Sequence, residues 1–220
     1  MERQSFEAES AKQKFSRAIF ICYNLVMTLV VGLTGNIACG KSTVGALLRK
    51  KSIPVLDSDE VVHDLYANDL DIQEQILRDF GTLDRKEIGK KVFGTSPENL
   101  AYKKKLESIL HPAVHKKFEQ WVQANLNERL IVNLVPLLFE ANLEHRYDYI
   151  VCIITDEKNQ IDRLKKRDPN MPEAQIIARI RSQMPQDQKS KRSNLVISNN
   201  STLEALELEV DKILNLDSKS

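Results

Sequence analysis

The sequence predicts an α/β fold in which a parallel β-sheet is flanked by helices. Short apolar runs of strand length recur along the chain, and amphipathic segments of helix length separate them. Strands that alternate with helices are typical of parallel sheets covered on both faces. A glycine-rich turn between the first strand and the first helix narrows the class of fold further.

The first predicted strand and helix enclose that turn. Residues 29–33, Leu-Val-Val-Gly-Leu, form an apolar run, and Val44, Leu47 and Leu48 follow the turn at spacings of three and four. That periodicity predicts a helix with one apolar face. Between the two elements, residues 35–42 are Gly-Asn-Ile-Ala-Cys-Gly-Lys-Ser, which match G-x-x-x-x-G-K-[ST] at every fixed position.

The motif predicts a phosphate loop of the P-loop NTPase type. Glycines let the backbone wrap around a polyphosphate, and the N–H groups that begin the helix donate to it. Lys41 reaches the β and γ oxygens, and the Ser42 hydroxyl can hold Mg²⁺. The motif fixes only four positions, so a chance match is the alternative, but the order of strand, turn and helix argues against chance. The chain is therefore predicted to bind a nucleoside triphosphate.

Two carboxylates follow the second predicted strand, residues 53–56. Asp57-Ser58-Asp59 ends that strand and begins a helix. Residues at the carboxyl end of a strand beside the phosphate-loop strand face the same crevice. Asp59 is predicted to accept the proton of a substrate hydroxyl or to support Mg²⁺. Asp57, with Glu60 three residues later, is predicted to cap the helix. Capping by Asp59 and catalysis by Asp57 are the alternatives.

The remaining elements continue the alternation of helices and strands. Residues 70–126 are strongly helical and rich in lysine, with turn signals at Gly81, Gly94 and Ser96-Pro97. His111-Pro112 is interpreted as a structural turn that precedes a further helix. Three more apolar runs predict strands at residues 130–135, 149–154 and 195–197.

Basic residues are concentrated in residues 158–192, where ten lysines and arginines face four acidic residues. A solvated helical hairpin would explain such a segment. In a protein that transfers phosphoryl groups, such a segment can instead form a mobile lid whose basic side chains neutralise the charge of the group being transferred. We predict a lid that is mobile without nucleotide and ordered with it.

Length and charge limit the other possibilities. A chain of 220 residues suits one medium domain. Its 32 basic and 31 acidic residues leave a net charge of +1, which does not call for a nucleic-acid or membrane partner. Cysteines at positions 22, 39 and 152 have no metal-ligand spacing, and four scattered histidines do not predict a metal site. Such sparse cysteines favour a reducing cytoplasm.

Residues 1–26 are predicted to be a dispensable extension that precedes a single domain at residues 27–220. The apolar stretch within them superficially resembles a signal peptide, but it runs directly into the phosphate-loop strand, so cleavage there would destroy the nucleotide site. A chain that begins at Met27 is expected to melt and turn over like the full chain. Thermal melting and turnover test this, and a large loss in either would mean that the extension packs on the core.

Taken together, the motifs resemble those of the dephospho-coenzyme A kinase family over about residues 27–210. In chain order they are residues 34–44, Asp57-Ser58-Asp59, residues 106–112 (Leu-Glu-Ser-Ile-Leu-His-Pro), residues 135–140 (Val-Pro-Leu-Leu-Phe-Glu), residues 163–167 (Arg-Leu-Lys-Lys-Arg), Ala178-Arg179-Ile180 with Gln183, and residues 197–200 (Ile-Ser-Asn-Asn). The loop alone indicates only a nucleotide, whereas the ordered set is specific to one family.

The resemblance implies a role for individual residues. Asp59, Lys41 and Arg167 are the catalytic residues that it implies. The residues implied to bind ATP are Gly35, Asn36, Ile37, Ala38, Cys39, Gly40, Lys41, Ser42, Thr43, Arg163 and Asn199, with Ser42 also holding Mg²⁺. The residues implied to bind dephospho-coenzyme A are Asp59, His63, Leu106, His111, Pro112, Glu140 and Arg179, partly within a helical lobe at about residues 60–126. The lid would span about residues 156–192. The chain departs from the family pattern at Asn36, Ala38 and Cys39.

The predicted activity is ATP-dependent phosphorylation of the ribose 3′-hydroxyl of dephospho-coenzyme A, the last step of coenzyme A biosynthesis. A nucleoside or nucleotide monophosphate kinase would share the loop, the lid and the fold. A GTP-driven switch protein is disfavoured because no N-K-x-D sequence follows a strand. A nucleic-acid binder that uses residues 158–192 is disfavoured by the near-neutral charge. The expected enzyme is cytoplasmic, a monomer or weak homo-oligomer, without nucleic-acid or membrane partners.

Overall fold

The computed structural model describes residues 28–94 and 96–216, which contain a five-stranded, fully parallel sheet flanked by helices. The strands are β1 (Leu29–Gly35), β2 (Val55–Asp57), β3 (Leu130–Leu134), β4 (Tyr149–Ile154) and β5 (Leu195–Ser198), and their order in the sheet is β2-β3-β1-β4-β5. The predicted fold class and all five predicted strands are confirmed. The extension at residues 1–26, and with it the prediction that it is dispensable, lies outside the described residues.

The described part of the chain contains nine α-helices and one short 3₁₀ turn at Glu144–Arg146. The helices are α1 (Lys41–Lys50), α2 (Ser58–Asn68), α3 (Leu70–Phe80), α4 (Arg85–Val92), α5 (Pro97–Ala124), α6 (Glu157–Arg167), α7 (Glu173–Arg181), α8 (Gln186–Arg192) and α9 (Leu203–Leu214). No helix in these described ranges is both long enough and apolar enough to cross a membrane.

The sheet register brings the predicted site residues to one edge. Strand β1 lies at the centre, and the apolar core packs around it together with residues of α1 and α9. Leu134 of β3 is the partner of Leu33 on one side and of Asp57 on the other. Because these strands are parallel, the loop that leaves β1 after Gly35 and the turn that carries Asp59 lie at the same carboxyl edge.

Helices α2 to α5 form a lobe with an apolar core of its own. Its buried side chains are Leu65, Ile72, Ile76, Phe80, Ile88, Ile109 and Leu110. Each of these helices begins at a polar cap: for example, Asp69 accepts a hydrogen bond from the N–H of Ile72 at 3.1 Å. The helical character predicted for residues 70–126 is confirmed, and Leu106 packs against this second core.

The turn predicted at His111-Pro112 is wrong. Pro112 lies inside α5, which continues from Pro97 to Ala124. A proline within a helix loses one backbone hydrogen bond and is normally unfavourable. Here Ile109 and Leu110 before it and Phe118 after it are all buried, so packing on both sides of the proline outweighs the local preference for a break.

Candidate active site

The phosphate loop between β1 and α1 has the backbone geometry of an anion cradle. Gly40 has φ of 104° and Ala38 has φ of 59°, both in the left-handed region. A Cβ atom at position 40 would collide with the side-chain nitrogen of Asn199, so glycine is required there both by its conformation and by close approach. Ala38 adopts the left-handed backbone with its side chain in place, which costs about 1 kcal/mol. The departure from the family pattern at this position is thus accommodated without loss of the loop.

The start of α1 is open for an anion. Gly40 is the N-cap and supplies no side-chain hydrogen bond, and the first turn contains no acidic residue. The N–H groups at this terminus carry partial positive charge and suit a phosphate. Lys41 Nζ donates to the carbonyls of Gly35 at 2.7 Å and Asn36 at 3.1 Å, which holds its charge within the loop.

Arg163 and Asn199 donate hydrogen bonds to the backbone of the phosphate loop. Arg163 donates to the carbonyl of Ala38 at 3.1 Å and to that of Asn199 at 2.9 Å. The side-chain amide of Asn199 donates to the carbonyl of Cys39 at 2.8 Å. Cys39 is fully buried, and burial raises the pKa of its thiol despite the nearby positive charge of Lys41. The side chain of Cys39 therefore packs beneath the backbone of the loop as a small neutral group.

Two glutamines that lie outside the loop motif bind the loop at Ile37. Gln160 donates from its side-chain amide to the carbonyl of Ile37 at 2.7 Å, and Gln183 accepts from the N–H of Ile37 at the same distance. Gln160 is fully buried, yet in the sequence it is one polar residue in a strongly polar helix. Gln183 carries a signal only through its place in the family motif.

An open cavity of about 430 Å³ lies above the loop. It brings together Lys41, Ser42, Thr43, Asp59, Arg163 and Arg167, and it is also lined by Gln183. The volume lies within the range of small-molecule sites. Residues of the phosphate loop, the carboxylate of Asp59 and two arginines of α6 thus share one space.

Asp57 and Asp59 differ in their surroundings. Asp57 is the N-cap of α2, and its carboxylate accepts from the N–H of Asp59 at 2.9 Å. Asp59 opens into the cavity, where restricted hydration raises the pKa of its carboxyl, and the charge of Asp57 raises it further. The positive charges of Lys41 and Arg85 partly oppose this rise in pKa. The predicted capping by Asp57 is confirmed, and the carboxylate of Asp59 takes no part in the cap.

Arg85, the first residue of α4, is a cationic neighbour of Asp59 that no sequence motif indicates. Its guanidinium lies 5.4 Å from the centre of the Tyr66 ring, and its charge acts on Asp59. No carboxylate within residues 28–94 and 96–216 forms an ion pair with it. Only the fold brings it near Asp59, since 25 intervening residues separate the two along the chain.

Six residues that the family resemblance implied for the acceptor do not line this cavity, namely His63, Leu106, His111, Pro112, Glu140 and Arg179. His63, His111 and Arg179 are exposed elsewhere, and Leu106 packs in the lobe. The carboxylate of Glu140 is occupied by Lys189, at 2.9 Å. Their roles in binding dephospho-coenzyme A stay predictions.

The donor set for a cation is small. The described residues contain no group of three or more His, Cys, Asp and Glu side chains that could hold a metal ion. Ser42 and Asp59 line the same cavity, and an oxygen pair of this kind, completed by phosphate oxygens and water, suits Mg²⁺.

Comparison with known proteins decides between the kinase families. The family model for dephospho-CoA kinase matches residues 29–205. The chain belongs to the dephospho-CoA kinase family. Dephospho-CoA kinases from Bacillus cereus and Bdellovibrio bacteriovorus are 35% and 34% identical to it, over 86% and 84% of this chain and 96% and 94% of theirs.

Solved structures agree with the family match. The crystal structure of TT1252 from Thermus thermophilus is 34% identical, with a TM-score of 0.74 over 86% of this chain and 97% of that one. A dephospho-CoA kinase from Campylobacter jejuni is 26% identical, with a TM-score of 0.59 over 86% of this chain and 96% of that one. The predicted membership of the dephospho-CoA kinase family is confirmed.

Proposed function

We propose that this enzyme transfers the γ-phosphoryl group of ATP to the ribose 3′-hydroxyl of dephospho-coenzyme A, giving coenzyme A and ADP. One observation carries the proposal: Lys41, Asp59 and Arg167 line a single cavity in a chain of this family. In that arrangement a donor phosphate and an acceptor hydroxyl can meet, as phosphoryl transfer requires.

The donor half positions the triphosphate. The free N–H groups at the start of α1 bind the phosphate oxygens, and Lys41 turns from the loop carbonyls to the β and γ oxygens. Arg167, which is exposed at the end of α6, neutralises charge that develops on the transferring group. Mg²⁺, when bound, would be held by the Ser42 hydroxyl and would neutralise phosphate oxygens.

Asp59 handles the acceptor. The 3′-hydroxyl donates to its carboxylate, which orients the oxygen toward the γ-phosphorus. The carboxylate takes the proton as the new bond to phosphorus forms and the bond between the γ-phosphorus and the oxygen of the departing ADP breaks. The raised pKa of Asp59 makes this carboxylate a better base than an exposed aspartate. Capping by Asp57 keeps the first turn of α2 in place while Asp59 reacts.

A coupled assay of ADP release across dephospho-coenzyme A, AMP, CMP, GMP and adenosine tests the proposal. Dephospho-coenzyme A is expected to give the highest kcat/KM. A preference for AMP, CMP or GMP would instead identify a nucleotide monophosphate kinase, and a preference for adenosine would identify a nucleoside kinase.

The lid is proposed to close over the triphosphate, and its contacts indicate which part moves. Gln160 and Arg163 already fix the middle of α6 on the loop, and Lys189 of α8 is fully buried. We therefore expect ATP-dependent protection mainly between Lys165 and Arg181. Hydrogen exchange with and without an ATP analogue measures it. Equal protection in both states would make this segment a static hairpin.

We further propose that the enzyme works in the cytoplasm as a monomer or weak homo-oligomer. The free, buried thiols of Cys39 and Cys152 support a reducing compartment. Cell fractionation tests the compartment, and sedimentation of the purified enzyme in the analytical ultracentrifuge tests the assembly state.

A further inference from the structure

Lys189 is a fully buried lysine that the proposed chemistry does not use. Its side chain is 0% exposed, and Nζ lies 2.9 Å from Oε1 of Glu140. Nζ also donates to the carbonyl of Pro136 at 3.0 Å. Burial of a charge is costly unless the charge is paired and hydrogen-bonded. Lys189 meets both conditions, so it holds the turn after β3 against α8.

Glu140 passes this constraint to the segment between α7 and α8. The same oxygen, Oε1, accepts from the backbone N–H of Met184 at 3.0 Å. Lys189 thus fixes the carboxylate that fixes Met184. The segment between Arg181 and Gln186 contains only four residues, and this contact binds the backbone of one of them.

Met184 and its neighbour Gln183 contact the phosphate loop directly. The carbonyl of Met184 accepts from the side-chain amide of Asn36 at 3.1 Å, and the side chain of Gln183 accepts from the N–H of Ile37 at 2.7 Å. Two consecutive loop residues are therefore held by two consecutive residues, one of which is bound by Glu140.

The second contact of Lys189 reaches the residue that immediately precedes the same loop. The carbonyl of Pro136, which accepts from Lys189, also accepts from the Thr34 hydroxyl at 3.3 Å. Thr34 stands immediately before Gly35, where the loop begins, and Pro136 lines the cavity. The ammonium group of Lys189 is thereby linked by two routes to residues 34–37, where the phosphate loop begins.

We propose that Lys189, acting through Glu140 and Pro136, is a positioning residue for the ATP-binding loop. It touches no substrate. It holds the loop backbone at Asn36 and Ile37 in the shape that receives the triphosphate, and Oε1 of Glu140 connects it to that backbone through Met184. A buried ion pair that only stabilises the fold is the competing explanation.

Lys189→Met separates the two explanations when it is combined with a second variant. The single change leaves Glu140 without its cation and is expected to lower the melting temperature. In Glu140→Gln/Lys189→Met no lone charge remains, so the melting temperature is expected to recover. A positioning role predicts that the Kd of an ATP analogue stays about tenfold above that of the parent in the double variant, because one or two loop hydrogen bonds remain weakened.

The exchange rate of the Ile37 amide hydrogen is the second measurement, and it is expected to rise in both variants. Lys191→Met is the matched control, since Lys191 lies on the same helix, is 79% exposed and pairs with Asp187. It should leave the Kd and the exchange rate unchanged. Recovery of the parent Kd and exchange rate together with the melting temperature would overturn the positioning role.

These measurements need only the ATP analogue. A parent enzyme that binds the analogue but does not phosphorylate dephospho-coenzyme A would overturn the proposed function and leave the inference about Lys189 in place.

Discussion

Lys41→Ala is expected to lower kcat with dephospho-coenzyme A by about 10²–10³-fold, the usual loss when one group that stabilises transition-state charge is removed. The fold should remain, because among residues 28–94 and 96–216 Nζ of Lys41 binds only the carbonyls of Gly35 and Asn36 within the loop. Steady-state turnover and thermal melting together measure the effect.

Lys50→Ala is the matched control for this change. Lys50 lies at the other end of α1 and is exposed, so its removal changes the charge of the same helix without touching the cavity. It is expected to turn over like the parent. Near-normal turnover of Lys41→Ala would rule out this loop as the donor site.

Asp59→Asn is expected to lower kcat by about 10²-fold or more, the scale of general-base catalysis, with ATP binding much less affected. Asparagine caps and starts helices about as well as aspartate, so the backbone of α2 should be unchanged. Asp57→Asn keeps an oxygen for the N–H of Asp59 and is expected to be the milder change. A larger loss of turnover in Asp57→Asn would exchange the roles of the two carboxylates.

The raised pKa of Asp59 gives these variants a pH signature. A carboxyl whose pKa is higher in the folded state binds more protons there than in the unfolded chain, so stability falls as pH rises through the raised pKa. Asp59→Asn should therefore melt at a temperature equal to or above that of the parent at neutral pH. Turnover of the parent should rise with pH through the same raised pKa, since only the ionised form accepts a proton. A lower melting temperature for Asp59→Asn would mean that the charge supports the fold.

The sequence predicted the parts of the site that lie in contiguous segments. Residues 35–42 carry their chemistry in one motif, and Asp57 and Asp59 are placed by the end of a single strand. Because local spacing determines these positions, the loop, the cap and the strand segments were predicted correctly. The roles of Arg163, Arg167 and Asn199 came from the family resemblance, and the structure places all three beside the loop.

The supporting contacts could not be predicted in this way. The Gln160 contact with Ile37 spans 123 residues of sequence and that of Gln183 spans 146, so no local pattern encodes them. The sequence does not distinguish Lys189, which is buried, from the other basic residues of α8, which are exposed. His111-Pro112 shows the opposite failure, in which a strong local signal was overridden by packing of α5 on both sides.

The contact between Asn199 and Cys39 joins residues 160 positions apart. During synthesis the phosphate loop leaves the ribosome long before strand β5, which brings Asn199 to it. A nascent chain that ends before residue 199 has the whole nucleotide motif but lacks the side chain that binds beneath it. The loop thus acquires its final support only when nearly all of the chain has been translated, so that truncated products carry the motif without its completed cradle.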